Sequence, residues 1–203
     1  IGDQVWMAEN LKFELPYPYS MCYGQETCRL RGYSLNDTVK VCSRDTANLP
    51  DFAQKSMSTC TDNDCLAKEY CEFYGRNYSL MDQEIFNMPL VDTICPPGWH
   101  VPSKGEWEEM FETMGGKRSS RKFVSTDLKW TKHFYERCDY CEPNNVYGTD
   151  DCGFNLIPPE EPFEAWTSTL RGSGIVYKAC FSYGTSYVPD VVANSGPIRC
   201  LKD

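Results

Sequence analysis

The chain has 203 residues, of which 41% are apolar, and a formal net charge of −9 at pH 7. It has no dense cluster of Lys and Arg and no run of about 18 apolar residues, which argues against a nucleic-acid partner and against insertion into a membrane. A chain of this length suits one domain with insertions.

Cysteine is the most informative residue type in the composition. The twelve cysteines are even in number and spread over the whole chain, which indicates a disulfide framework formed in an oxidising compartment. Zinc binding is the alternative, because Cys138 and Cys141 have the spacing of a ligand pair. We favour disulfides, since no second C-x-x-C pair exists and only two histidines are available.

The first part of the chain alternates short regular segments with a polar stretch. Residues 1–13 predict a strand and a turn. Residues 28–65 are polar, rich in turn residues and contain four cysteines. We predict an insertion held together by disulfides, because a segment of this size is too small to form a hydrophobic core of its own. Leu66–Tyr74 predicts a short helix that ends at Gly75, and a helical pattern resumes from Tyr78 to Met88, before Pro89.

The middle of the chain carries the strongest helix signal. The sequence from Cys95 to Trp107 reads CPPGWHVPSKGEW, in which two prolines and a glycine make a turn after the cysteine. Ser103 precedes Glu106 by three residues, the spacing of a capping box. Apolar residues then recur at helical spacing until Gly115, so we predict an amphipathic helix that fixes the middle of the core.

The last part of the chain is read as strands. Phe154–Ile157 and Glu164–Thr169 each predict one strand, and Ile175–Tyr183 with Tyr187–Ala193 predicts a hairpin. A final strand is expected from Ile198 to Leu201. Together, these elements predict an α+β fold in a single domain over residues 1–203, with the stapled insertion at about 28–65.

Several motifs, in order and over nearly the whole chain, resemble those of one family. They are I-G-D-Q-V-W-M-A-E-N-L at 1–11, C-Y-G at 22–24, C-x-x-Y-G-R-x-Y at 71–78, C-P-x-G-W-H-V-P-S at 95–103 with Glu106-Trp107, G-T-D at 148–150, G-F at 153–154, W-x-S-T at 166–169 and I-R-C-L-K-D at 198–203. On these motifs the chain resembles the Fibrobacter succinogenes major paralogous domain, a family of secreted bacterial domains.

The resemblance implies a fold and a set of disulfides. The family is similar in arrangement to C-type lectin-like domains, in which two helices precede a twisted antiparallel sheet with long loops. It implies that Cys95, between the two helices, pairs with Cys200, and that Cys152 pairs with Cys180. Pairing of Cys22 with Cys71 is expected from the paired family motifs, whereas Cys138 and Cys141 remain as a closely spaced pair.

One loop resembles the calcium site of sugar-binding C-type lectins. Glu142 and Asn144 flank a proline, as in the lectin Glu-Pro-Asn triplet, and Asp150 and Asp151 follow downstream. Oxygen ligands of this kind suit calcium. The alternative is an acidic turn without metal, because the lectins' downstream Asn-Asp pair is missing after Trp166. No other cofactor is expected.

Aromatic side chains in the late loops and strands are the candidate ligand-binding residues, because flat aromatic faces stack on sugar rings and also suit protein interfaces. They are Trp130, Tyr147, Tyr177, Tyr183 and Tyr187. His100 lies in a family motif, so we expect it to have a packing or hydrogen-bonding role.

The resemblance implies a non-catalytic binding or adhesion module on the outer surface of a bacterium, with plant cell-wall carbohydrate as the ligand. The alternative is a structural subunit of a cell-surface assembly that acts through protein–protein contacts. A third interpretation, an enzyme similar to the formylglycine-generating enzymes, requires a pair of free active-site cysteines. We expect the function to lie on the loops beyond Gly116.

Overall fold

The structure is a computed structural model. It describes residues 1–15, 20–22, 63–78, 93–126, 148–157, 163–172, 175–182, 185–188 and 196–203. Most of the predicted insertion at 28–65 therefore lies outside the described residues, and so does the predicted helical segment after Tyr78. The single-domain interpretation stays a prediction for the same reason.

The described residues form two α-helices and eight short strands in an α+β arrangement. The helices are α1 (Asn63–Tyr74) and α2 (Lys104–Thr113). The strands are β1 (Ser20–Cys22), β2 (Arg76–Tyr78), β3 (Trp99–His100), β4 (Phe163–Gly172), β5 (Ile175–Ser182), β6 (Thr185–Tyr187), β7 (Gly196–Pro197) and β8 (Leu201–Lys202). They pair as three antiparallel sheets in the orders β1-β2-β7, β3-β8 and β4-β5-β6. Among the described residues, neither helix has the length and apolar content of a membrane-spanning segment.

Helix α2 forms as its sequence predicts. The Ser103 backbone N–H donates to the Glu106 carboxylate at 2.6 Å, and the Glu106 N–H donates to Ser103 Oγ at 3.3 Å, which completes the capping box. The apolar face buries Trp107, Met110 and Phe111. The helix ends at Thr113, just before Gly115 adopts the left-handed conformation with φ of 110°.

The sheet β4-β5-β6 separates two hydrophobic clusters. One face of β5 carries Ala179 and Phe181, which pack with helix α2 in a cluster built mainly from aromatic rings. The other face carries Val176, which packs with Trp166 in a second cluster near Cys95 and Cys200. We call the first the aromatic cluster; its buried rings are Trp107, Phe111, Phe123, Phe154, Phe163 and Phe181.

Two predicted disulfides are confirmed. Cys95 is bonded to Cys200 and Cys22 to Cys71, and both pairs are buried. The first bond joins the segment before α2 to the segment between β7 and β8. Cys65 is also disulfide-bonded. Cys138 and Cys141 lie outside the described residues.

The predicted bond between Cys152 and Cys180 is wrong, because both are free thiols. Successive side chains of a strand point to opposite faces of the sheet. Cys152 packs against the aromatic cluster, which lies on the face of β5 that carries Ala179 and Phe181. Cys180 stands between these two residues in the strand, so its side chain points to the other face. There it faces Glu164 and Tyr187, its register partners on β4 and β6. The two sulfurs are therefore on opposite sides of β5.

Several predicted strands are shorter than expected or absent. Residues 1–13 and 154–157 contribute only isolated bridges, Trp6 with Leu201 and Leu156 with Val124. In the second case Asn155 has a φ of 48°, which breaks an extended strand. The hairpin of β5 and β6 is confirmed, although β6 spans Thr185–Tyr187 rather than beginning at Tyr187. Of the predicted final strand from Ile198 to Leu201, only Leu201 lies in a strand, β8, and the residues before it connect β7 to β8.

His100 has the hydrogen-bonding role expected of it. Its Nε2 contacts the Glu106 carboxylate at 3.0 Å and its Nδ1 contacts the Asp203 carboxylate at 2.7 Å. Burial lowers the pKa of His100, but the hydrogen bonds to Asp203 and Glu106 outweigh burial, so the net shift of the pKa is upward. The imidazole thus joins the start of α2 to the last residue of the sequence.

Candidate functional site

A cavity of about 200 Å³ opens between four separate segments of the described chain. The N-terminal segment, the end of α1, the loop after Phe154 and the residue before Cys200 each contribute to it. Its lining residues are Ala8, Glu9, Asn10, Glu72, Phe73, Tyr74, Asn155, Ile157 and Arg199. We call it the Arg199 pocket.

Arg199 is the central residue of this pocket. Its side chain is 3% exposed, although its guanidinium carries a charge. Nε donates to Asn10 Oδ1 at 3.0 Å, and Nη1 donates to the Phe154 carbonyl oxygen at 2.6 Å. The guanidinium carbon lies 4.1 Å from the centre of the Phe154 ring, which provides a cation–π contact.

The Arg199 guanidinium has no counter-ion among the described residues, because none of their carboxylates lies within 4 Å of it. Buried arginines are ordinarily paired with an acid. Burial lowers the pKa of Arg199 to about 9, while the more distant carboxylates of Glu9 and Asp150 act in the opposite direction. The positive charge is therefore only partly compensated by its surroundings.

One nitrogen of Arg199 is available to a ligand. Within the part of the chain that the structure describes, Nη2 has no hydrogen-bond partner. The fully buried side-chain atoms without partners in that part are Ser120 Oγ and Thr149 Oγ1, so Nη2 keeps some contact with solvent. Since Arg199 lines the cavity, we infer that solvent reaches Nη2 through it.

The floor of the pocket is held by the end of α1. Asn10 Nδ2 donates to the Tyr74 carbonyl oxygen at 2.9 Å, so both ends of the Asn10 amide are occupied. Gly75 allows this close approach, because its φ is +78° and a Cβ there would lie 2.6 Å from the Asn10 Cβ. A hydrogen bond from Arg76 N–H to the Leu11 carbonyl oxygen continues the contact. Asn10 is thus fixed before any ligand arrives.

The rim of the pocket is acidic and exposed. Lys12 Nζ lies 2.9 Å from a Glu9 carboxylate oxygen and 3.9 Å from one of Glu72, and these two carboxylates are 70% and 63% exposed. Lys12 offsets part of their charge. The pocket therefore combines a buried donor at its base with carboxylate acceptors at its mouth.

Asp150 supports the loop that completes the pocket. With a φ of 43°, it places one carboxylate oxygen 2.7 Å from the Asn155 backbone nitrogen, whose N–H donates to it. Burial raises the pKa of Asp150, while the Asn155 hydrogen bond and the Arg199 charge lower it in part. This carboxylate holds the turn that presents Phe154 and Asn155 to Arg199.

The calcium site stays a prediction. Glu142 and Asn144 lie outside the described residues, while Asp150 and Asp151 lie in the turn before Phe154. No group of three or more His, Cys, Asp or Glu side chains within the described ranges is arranged to hold a metal ion. The described ligand candidate Asp150 already accepts a backbone hydrogen bond from Asn155. A melting experiment in millimolar calcium tests the site, and an unchanged melting temperature would argue against it.

Of the predicted aromatic ligand residues, the two that the structure describes, Tyr177 and Tyr187, lie apart. Tyr177 lies on the face of β5 that packs towards α2, where Lys104 Nζ is 4.4 Å from its ring centre. Tyr187 pairs with Cys180 in the sheet, so its side chain lies on the opposite face, where it is 37% exposed. Trp130, Tyr147 and Tyr183 lie outside the described residues.

In the sequence, Asn10 and Arg199 stand out only as members of the family motifs at 1–11 and 198–203, and neither was predicted to bind a ligand. Their pairing spans 189 residues, and no local spacing reports such a contact. The available signal was a charged residue within an otherwise apolar terminal segment, Ile198 to Leu201, beside a bonded cysteine. Glu72 and Phe73, which complete the pocket, carried no signal of their own.

These features define a disulfide-stabilised α+β domain with a pocket built around a buried arginine. The chain belongs to the family described as the Fibrobacter succinogenes major domain, whose model matches residues 1–179, so the resemblance drawn from the sequence motifs is confirmed. No curated protein matches the chain, and no solved structure matches it. The similarity to C-type lectins stays a prediction.

Proposed function

We propose that this domain is a non-catalytic binding module on the outer surface of a bacterium, and that its ligand is a plant cell-wall carbohydrate. Membership of a bacterial domain family and buried disulfides support an extracellular setting. The Arg199 pocket carries the binding part of the proposal, because it offers a preorganised donor group that the fold leaves unused.

The composition of the pocket suits a sugar. Carbohydrates present many hydroxyl groups, which both donate and accept hydrogen bonds. Glu9 and Glu72 can accept such bonds, Arg199 can donate them, and the ring of Phe73 lines the same cavity. A cavity of about 200 Å³ is smaller than the roughly 300–1,000 Å³ of drug-sized sites, so it fits one sugar unit of a longer chain.

The positions of the free thiols support the non-catalytic part of the proposal. Cys152 and Cys180 lie on opposite sides of β5 and do not form a pair. Burial raises the pKa of Cys152, and it raises the pKa of Cys180 to about 11, so both thiols are mainly protonated at neutral pH. A protonated thiol is a poor nucleophile and a poor metal ligand.

Retention on polysaccharides tests the proposal. The wild-type domain should be retained on a glycan array and on insoluble cellulose or xylan. Ala8→Trp, at an exposed residue that lines the pocket, should abolish retention. Leu170→Trp is the matched control, because Leu170 is 57% exposed on β4 and does not line the pocket. If the wild type is retained on no glycan, a structural subunit acting through protein–protein contacts becomes the better interpretation.

A further inference from the structure

We infer that the Arg199 pocket recognises the carboxylate of an acidic sugar, a uronic acid unit, rather than a neutral sugar. The inference rests on the proposed function, since it names the class of ligand for the same site. It starts from the charge of Arg199, which its surroundings compensate only in part.

The buried guanidinium lacks the partner that its burial requires. Removing a charge from water is unfavourable unless a counter-charge and hydrogen bonds replace the water. Asn10 and Phe154 supply hydrogen bonds to Nε and Nη1, but both acceptors are neutral. A ligand carboxylate that accepts from Nη2 would supply both the missing bond and the missing charge.

The acidic residues at the mouth of the pocket favour a uronic acid over more highly charged ligands. A phosphate monoester carries close to two negative charges at neutral pH, so the carboxylates of Glu9 and Glu72 would repel it more strongly than a singly charged carboxylate. A uronic acid has one carboxylate on a ring that otherwise carries hydroxyl groups. Its carboxylate would enter towards Arg199, and its hydroxyl groups would donate to the acidic rim. Lys12, between the two rim acids, reduces the repulsion at the mouth.

The binding test compares one acidic oligosaccharide with its neutral ester. Isothermal titration with tetragalacturonic acid should give an affinity at least about tenfold higher than with its methyl ester, as expected for a hydrogen bond to a charged group. N-acetylalanine, a carboxylate without a sugar ring, should bind at least about tenfold more weakly than the acid.

Two substitutions at Ala8 separate the effect of a negative charge in the pocket from the effect of side-chain size. Ala8→Glu places a carboxylate at the cavity and should lower the affinity for the acid by about tenfold or more, whereas Ala8→Gln, of nearly equal size, should lower it by less than about threefold. Ala8 is exposed, so both variants should fold. Arg199→Met should abolish the preference for the acid, with exposed Arg118→Met as its control. If Arg199→Met does not fold, the comparison of Ala8→Glu with Ala8→Gln tests the inference by itself.

The outcomes separate this inference from the proposed function. Equal binding of the acid and its ester, or equal effects of Ala8→Glu and Ala8→Gln, would overturn the inference while carbohydrate binding stands. N-acetylalanine binding as tightly as the tetramer would also overturn it, in favour of a simple carboxylate site. Retention on no glycan together with no binding of the tetramer would overturn both.

Discussion

Removal of the Cys95–Cys200 bond should be the most damaging single change to the described fold. The bond closes a segment with a sequence separation of 105 residues. Loss of that constraint on the unfolded chain corresponds to about 4.7 kcal/mol in the chain-entropy model. Since domains are typically stable by about 5–15 kcal/mol, Cys95→Ala/Cys200→Ala should lose a third or more of the total. Urea unfolding followed by tryptophan fluorescence measures this as the free energy of unfolding in water.

Two control variants make the measurement decisive. Cys22→Ala/Cys71→Ala removes a bond with a sequence separation of 49 residues and should cost about 4 kcal/mol. Cys152→Ala removes a partly exposed free thiol and should cost about 1 kcal/mol or less. A loss below about 2 kcal/mol for the Cys95–Cys200 variant, or an equal loss for Cys152→Ala, would refute the reasoning.

Three further predictions follow from the described contacts. His100→Gln should remove the stabilisation that protonated His100 provides. This stabilisation is complete below the ordinary His pKa of 6.5 and is lost as pH rises through the raised pKa, so the melting temperatures of wild type and variant should converge above the raised pKa. A difference in melting temperature that persists at alkaline pH would contradict this. Gly75→Ala should destabilise the domain by about 1–3 kcal/mol in urea unfolding, because φ is +78° and its Cβ would meet Asn10; an unchanged midpoint would show that the turn relaxes. Alkylation of Cys152 by iodoacetamide, followed by mass spectrometry of its peptide, should be slow at neutral pH and faster only above the ordinary Cys pKa of 9.0. Rapid alkylation at neutral pH would show that Cys152 is a thiolate there and would contradict the raised pKa.

Sequence patterns predicted the elements whose stabilising contacts are local. The capping box of α2 joins residues three positions apart, and the break at Gly75 needs only its own backbone conformation. The hairpin of β5 and β6 is also short-range. The predicted strand at 154–157 was wrong because Asn155 turns the chain there, where Asp150 accepts its N–H.

The sequence by itself determined the class of this protein. Its cysteine count indicated disulfides, its motifs indicated the family, and the spacing of Ser103 and Glu106 defined the central helix. Tertiary structure alone decided which face of β5 each thiol occupies and which charged residue is buried. Those outcomes depend on contacts between distant segments, such as the one that joins Asn10 to Arg199 across 189 residues, and no local pattern encodes them. The candidate binding pocket exists because these segments meet around one guanidinium whose charge the fold neutralises only in part.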